Sequence, residues 1–227
     1  MQSATGLVLQ FVRCNAAAQT PDWLRWLDDV LLPAQRATAG VRSATLFALR
    51  VQPEPWMPSV GFTHAILIET TGELGASLAP TVARLQAAEA ALREAGRFHR
   101  HHCLIVEDAL RAHGRHASKP LPDPALHGHI LAYVQGNDPR EEREWDAWND
   151  AVHMPDMLDS GAFTGVSRWV RDPRRTRGTD FVTLYDVGAH GVDVAVEKSA
   201  AAMPGLIAAG RKHAGHVGGL TILLVRP

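Results

Sequence analysis

Apolar and polar positions alternate along the chain in an order that occurs twice. Residues 6–14, GLVLQFVRC, have the pattern of a half-buried strand, and residues 128–136, GHILAYVQG, have the same pattern 122 positions later. After each strand come an amphipathic helix, two strand-like runs, a second helix and a last strand. The order β-α-β-β-α-β, repeated, predicts an α+β protein made of two ferredoxin-like repeats.

A polar, proline-containing stretch separates the two copies. Residues 111–127, RAHGRHASKPLPDPALH, have the composition of a connection between folded units. We therefore predict an N-terminal repeat over residues 1–117, a linker over 118–125 and a C-terminal repeat over 126–227. Such a repeat leaves one sheet face without helices, and the other copy is the nearest cover for it. The sequence thus predicts an intramolecular dimeric α+β barrel, with two independent domains as the alternative.

The first helix of each copy carries the same residues in the same register. The segments PDWLRWLDDVLLPAQR (21–36) and REWDAWNDAVHMPDML (143–158) share two tryptophans, an aspartate, a valine and a proline. His153 of the second copy stands where the first copy has Leu31. The proline two residues after His153 disfavours helical geometry in front of it, so we expect the helix to end or bend at His153.

Composition and charge narrow the class of protein. The chain has 227 residues, 46% of them hydrophobic, and can bury a full core. Its formal charge is −1 and it has no basic run, so we expect no nucleic-acid partner. We find no signal peptide and no apolar span, and the two cysteines, Cys14 and Cys103, suit a reducing compartment. These features predict a soluble cytoplasmic protein without a membrane partner, either a monomer or a weak homodimer.

The second tryptophan helix and the strand after it resemble a known family. The residues that carry the resemblance are Trp148, Asn149, Asp150, His153, Pro155, Gly161, Phe163 and Arg168. They are similar to the W-Y-N-E-x-H-x-P…G-F pattern of EthD-like proteins in the dimeric α+β barrel superfamily. The resemblance implies the dimeric α+β barrel fold. It also implies membership of a superfamily that includes cofactor-free isomerases, cyclases, lyases and monooxygenases, as well as haem enzymes. The first copy has Leu31 in place of the histidine of the pattern, so the resemblance implies a single site, in the C-terminal repeat.

His153 is the main candidate for chemistry. A helix C-terminus and a carboxylate three residues away, Asp150 or Asp156, favour the imidazolium, and an imidazole that titrates near neutrality suits general acid–base catalysis. We predict His153 and Asp150 as catalytic residues. The alternative is a boundary histidine that only caps the helix.

Five further residues are predicted to bind a ligand. Aromatic and polar side chains near His153, on the same helix or on neighbouring strands, are suited to a pocket wall. The predicted ligand-binding residues are Trp148, Asn149, Trp169, Tyr185 and His64. For each of them the alternative is a structural role in the core.

Three histidine-rich segments invite a metal interpretation. They are HRHH (99–102), HGRH (113–116) and HGH (127–129), and none has helical i, i+4 spacing or a carboxylate at a set interval. We predict solvated polar loops there, with no metal and no cofactor.

The function predicted is a cofactor-independent lyase, isomerase, cyclase or monooxygenase for a small apolar or aromatic molecule, with His153 as general acid/base. The alternative is a non-catalytic small-molecule-binding or stress-associated protein.

Overall fold

The computed structural model describes residues 4–50, 61–115, 126–136, 138–174 and 180–227. The chain divides into two compact units, Met1–Arg111 with Pro227, and Ala112–Arg226, here called the N-terminal and C-terminal units. The predicted linker, residues 118–125, lies outside the described residues.

The N-terminal unit is a four-stranded antiparallel sheet with helices. Its elements are β1 (Gly6–Cys14), a short 3-10 turn (Ala17–Gln19), α1 (Thr20–Trp26), a π turn (Leu27–Leu31), α2 (Leu32–Arg36), β2 (Val41–Leu49), β3 (His64–Thr70), α3 (Ala79–Glu94) and β4 (His102–Arg115). β1 pairs with β3 and β4, and β3 pairs with β2, which gives the order β4-β1-β3-β2. This is the strand order of a ferredoxin-like unit.

The C-terminal unit repeats this element order. Its elements are β5 (Gly128–Gly136), a 3-10 turn (Pro139–Glu141), α4 (Glu142–Trp148), a π turn (Asn149–His153), α5 (Met154–Asp159), β6 (Gly165–Arg171), β7 (Phe181–Val187), α6 (Val192–Ala208) and β8 (His216–Val225). β5 pairs with β7 and β8, and β7 pairs with β6. The predicted α+β class is confirmed. The packing of one sheet on the other and the duplication itself stay predictions.

Both tryptophan helices widen into a π turn just before their proline. The backbone N–H of Leu32 donates to Leu27 O, and that of Met154 donates to Asn149 O, five residues back instead of four. Proline has no N–H and its ring crowds the carbonyl four residues earlier, and a wider turn accommodates both effects. The helix therefore continues through His153 to Asp159. Of the two expected outcomes, an end at His153 is wrong, and the helix instead has a π turn there.

Candidate functional site

The strand register shows which positions correspond in the two units. Gln10 of β1 lies opposite Ile66 of β3. Ala132 of β5, which is 122 positions after Gln10, lies opposite Thr183 of β7. Ile66 and Thr183 therefore occupy the same place in their sheets, and the same reasoning extends to the other strands and to the tryptophan helix.

Five corresponding positions between helices and sheet are apolar in the N-terminal unit and polar in the C-terminal unit. They are Leu27 and Asn149, Leu31 and His153, Leu46 and Arg168, Ile66 and Thr183, and Ile68 and Tyr185. The five N-terminal side chains belong to one hydrophobic cluster. We call the five C-terminal side chains the polar layer. Because burying polar groups in place of leucine and isoleucine costs free energy, the polar layer is the candidate site.

His153 and Tyr185 meet inside the polar layer. The Tyr185 hydroxyl lies 3.3 Å from His153 Nε2, and it donates to that atom in the tautomer that carries its proton on Nδ1. The imidazole stacks on the Trp148 ring at a centroid distance of 5.0 Å and an angle of 16°. The ring of Phe163 packs against the ring of Tyr185, with 4.5 Å between the ring centroids. The predicted role of Tyr185 in binding a ligand stays a prediction.

The electrostatic surroundings keep His153 neutral. Burial lowers the pKa of His153 to about 4, and the charge of His216 adds to this effect, while Asp156 opposes it. Burial also raises the pKa of Tyr185. The sequence-based expectation of an imidazole that titrates near neutrality is therefore corrected. Its two assumed causes fail because the helix does not end at His153 and because burial outweighs the nearby carboxylate.

Asp150 is placed with Arg168. Arg168 is 1% exposed, and its Nη1 lies 2.6 Å from Asp150 Oδ1 while its Nη2 donates to Asp146. His113 Nε2 lies 2.9 Å from the other oxygen of Asp146. Burial by itself raises the pKa of Asp146. The hydrogen bond from His113 and the charge of Arg168 outweigh burial and lower this pKa to about 2. Asp150 thus balances a buried arginine, and its role as catalytic partner of His153 stays a prediction.

Asn149 is the most enclosed member of the polar layer. It is 0% exposed, and its Nδ2 donates to the backbone oxygen of Trp145 at 3.0 Å. Its Oδ1 has no hydrogen-bond partner among the described residues. Asn149 therefore does not orient His153, and it leaves a buried acceptor open.

Trp148 connects His153 with a surface pocket. Its Nε1 donates to Arg211 O at 2.9 Å, which fixes the ring against the loop after α6. An open pocket of about 660 Å³ lies beside the ring. Its lining residues are Glu141, Glu144, Trp148, Val152 and residues 209–215. The volume is in the range of small-molecule sites, and the role of Trp148 as a ligand-binding residue stays a prediction.

His213 and His216 were missed by the sequence analysis. Trp145 Nε1 donates to His216 Nδ1 at 3.2 Å, and in the N-terminal unit Trp23 Nε1 donates to His102 Nδ1 at 3.0 Å. His213 and His216 both pack against the Trp148 ring. The signal in the sequence is G-R-x-H-x-x-H, present at 96–102 and again at 210–216. The two occurrences of this motif are 114 positions apart, whereas the first strands are 122 positions apart. An alignment of the two copies on their first strands therefore does not show the motif.

The same motif corrects the interpretation of HRHH as a solvated loop. His102, its last residue, is 9% exposed and holds the indole of Trp23. Burial lowers the pKa of His102 to about 4, and burial does the same for His216. The prediction of a solvated loop is also wrong for residues 113–115 of HGRH, which belong to β4, while residue 116 lies outside the described residues. In HGH (127–129), Gly128 begins β5 and His129 is a buried strand residue.

Two predicted ligand-binding residues lie elsewhere. Trp169 alternates with Arg168 along β6, and its Nε1 donates to Ser167 Oγ at 2.9 Å, so it projects from the sheet face opposite the polar layer. His64 belongs to the N-terminal unit, where its ring meets Trp23 edge-on at 5.2 Å and burial lowers its pKa. The ligand-binding roles of Trp169 and His64 stay predictions.

The polar layer does not fit a haem. A buried neutral imidazole is the form of histidine that binds iron, and haem enzymes occur in the superfamily that the sequence resembles. The Tyr185 hydroxyl, however, takes the position at His153 Nε2 that iron would need. Met154 and Phe163 fill the neighbouring space and are 1% and 8% exposed. Across the described ranges, no three His, Cys, Asp or Glu side chains form a metal-binding group.

Solved structures with this fold include a chlorite dismutase, a dye-decolorizing protein and an anthrone oxidase-like protein. A mutant chlorite dismutase from Candidatus Nitrospira defluvii matches with a TM-score of 0.58 and 10% identity over 100% of this chain and 93% of that one. The dye-decolorizing protein from V. cholerae matches with a TM-score of 0.57 and 8% identity, covering 100% and 95%. An anthrone oxidase-like protein matches with a TM-score of 0.53 and 12% identity, covering 99% and 93%.

The chain shares the overall α+β fold of these proteins. At such identities the likeness shows the fold alone. No family model and no curated protein matches the sequence. Among the helices described, none has the length and apolar character needed to cross a membrane.

Proposed function

We propose that the C-terminal unit is a cofactor-independent enzyme of the monooxygenase or oxidase type that acts on a small aromatic molecule. In this proposal His153 accepts a proton from the substrate and Tyr185 relays it. One structural neighbour is named an anthrone oxidase-like protein, which supports this choice among the reaction types that the sequence leaves open.

The observation that carries the proposal is the His153–Tyr185 pair. Its two positions are Leu31 and Ile68 in the N-terminal unit, where they complete a hydrophobic cluster. The C-terminal unit gives up that packing for a 3.3 Å hydrogen bond between two neutral groups that burial has shifted away from their charged forms. Perturbed titratable pairs in buried surroundings are typical of sites that move protons.

Anthrone, suggested by one of the structural neighbours, serves as a concrete probe. A proton leaves the CH₂ group of anthrone for the Tyr185 oxygen as the phenol proton passes to His153 Nε2. The carbanion then forms a C–O bond with O₂, and the resulting peroxide takes the proton back from the imidazolium. Loss of water leaves the carbonyl of anthraquinone, so that one anthrone and one O₂ give one anthraquinone and one water. The anion formed in the first step favours the imidazolium beside it.

The test is anthraquinone formation and O₂ uptake by the purified protein. His153→Leu and Tyr185→Ile install the residues of the N-terminal unit and should keep the fold. We expect His153→Leu to lower kcat by about 10²–10⁴-fold, the usual contribution of a general base. His99→Ala changes the N-terminal counterpart of His213 and is the matched control, with activity unchanged. Full turnover in His153→Leu would contradict the proposal.

A binding protein is the second candidate, because the pocket is lined by Trp148 and not by His153. Such a protein would hold an aromatic molecule against Trp148 without chemistry. The two candidates differ in His153→Leu, which removes turnover from an enzyme and leaves the affinity of a binder unchanged. Trp148→Ala should weaken binding in both.

A further inference from the structure

The side-chain amide of Asn149 has one buried atom without a hydrogen-bond partner among the described residues, and the contact with Trp145 shows that this atom is the oxygen. The Trp145 backbone oxygen can only accept, so the side-chain atom 3.0 Å from it must be the Nδ2 donor. The remaining atom is Oδ1, which is buried and has no partner among the described residues. An exchanged amide would place two oxygens against each other and leave a donor unpaired. The atom that is left open is therefore an acceptor, and its complement is a donor.

The cost of this open acceptor is avoidable in the same fold. Leu27 occupies the corresponding position at the start of the other π turn and packs in a hydrophobic cluster. A buried unsatisfied acceptor destabilises a protein, whereas leucine at this place does not. Asn149 and His153 are the first and last residues of one π turn, a helix irregularity that is frequent at functional sites. Asn149 thus stands beside the proton acceptor of the proposed reaction.

The charge in the polar layer selects the kind of donor. Asp146 and Asp150 are paired with Arg168, and His153 and Tyr185 are neutral, so the layer offers no free negative charge to a cationic ligand. An anion is disfavoured at Oδ1 itself, because the amide oxygen repels it. A neutral hydroxyl satisfies both conditions.

We propose that Asn149 is a specificity-determining residue that accepts a hydrogen bond from the hydroxyl of a neutral phenolic or enolic aromatic substrate. This assignment rests on the proposed function and names the substrate class for that site. Because Asn149 is 0% exposed, the hydroxyl reaches Oδ1 only when side chains of the polar layer move, so binding is slow compared with association at an open pocket.

The experiment compares two ligands that share a ring system. 2-Naphthol has the hydroxyl, and 2-methoxynaphthalene has the same rings without a donor. Affinities of the full chain are measured by tryptophan fluorescence quenching and by calorimetry under argon, so that no oxidation takes place. We expect the wild-type protein to prefer 2-naphthol by about 10-fold or more, since a site built for a hydroxyl rejects the analogue that lacks it.

Asn149→Leu is the decisive variant, because it copies the N-terminal unit and is expected to fold. It should bind both ligands with affinities within about twofold of each other and should unfold at a higher temperature than the wild-type protein, since the open acceptor is gone. His99→Ala should keep the wild-type preference. Equal binding of both ligands by the wild-type protein, no binding of 2-naphthol, or a preference that survives in Asn149→Leu would each overturn the inference.

The outcome is separable from that of the proposed function. A hydroxyl preference that depends on Asn149, without His153-dependent oxidation of anthrone, keeps this inference and rejects the enzyme. Oxidation that depends on His153, without a hydroxyl preference, keeps the enzyme and rejects the role of Asn149.

Discussion

His153→Leu should make the protein less sensitive to acid. The pKa of His153 in the folded chain is about 4, against 6.5 for an exposed histidine. Between these two values the unfolded chain binds a proton at this residue and the folded chain does not. The free energy of unfolding therefore falls as the pH drops from 6.5 to 4, and His153 contributes no pH dependence above or below that interval.

The size of the effect follows from the separation of the two pKa values. One pKa unit corresponds to about 1.4 kcal/mol at 25 °C, so the full interval is worth about 3 kcal/mol. At pH 4.5 most of this loss is already present in the wild-type protein, about 2.5 kcal/mol, and it is absent in His153→Leu. His102 and His216 also have a pKa of about 4, but they remain in both proteins and their contribution cancels in the comparison.

The assay is urea unfolding of both proteins at pH 7.5 and pH 4.5, followed by far-ultraviolet circular dichroism. The difference in unfolding free energy between His153→Leu and wild type should shift by about 2.5 kcal/mol in favour of the variant at the lower pH. Met154→Leu, a neighbouring buried substitution without a titratable group, should show the same difference from wild type at both pH values. An equal difference at both pH values for His153→Leu as well would refute a buried neutral imidazole at this position.

Two further predictions concern contacts that the structure reveals. His102→Ala and His216→Ala each leave a buried tryptophan N–H without its acceptor, so each should lower the free energy of unfolding by about 1–3 kcal/mol in urea titrations at pH 7.5; unchanged stability in both would show that these hydrogen bonds are dispensable. Arg168→Leu leaves Asp146 and Asp150 without their arginine and should cost about 3 kcal/mol, the low end for a broken buried pair because both carboxylates are partly exposed. A calorimetric melting temperature equal to that of wild type would contradict this.

Much of the fold could be predicted because hydrophobic periodicity records which face of each element is buried. The two copies of β-α-β-β-α-β follow from alternation in residues 6–14 and 128–136 and from the helical pattern after each. The tryptophans that share a register also share a contact: Trp23 and Trp145 donate to His102 and His216, the first residues of β4 and β8. Patterns of this kind are local, and a helix or strand needs only local residues to define its buried side.

The candidate site was only partly accessible in this way. The sequence picked out His153 and Tyr185, and the structure brings them to 3.3 Å. The sequence could not show which of Trp169 and Arg168 faces the helices. Alternation places the two side chains on opposite faces of the sheet, but it does not determine which face packs against the helices. His216 was missed because it follows its counterpart His102 by 114 positions, whereas the first strands of the two copies are 122 positions apart.

What the sequence determined by itself is the order of elements, the repeated tryptophan helix and the one histidine that distinguishes its second copy. What only the tertiary structure decided is the protonation state of that histidine and the partner of each polar group. A pKa depends on burial and on every charge nearby, and these come from β6, β7 and the loop before β8, far from residue 153 along the chain. Asp150, three residues from His153, binds Arg168 instead, because proximity in sequence does not determine which charge a side chain reaches across the helix–sheet layer.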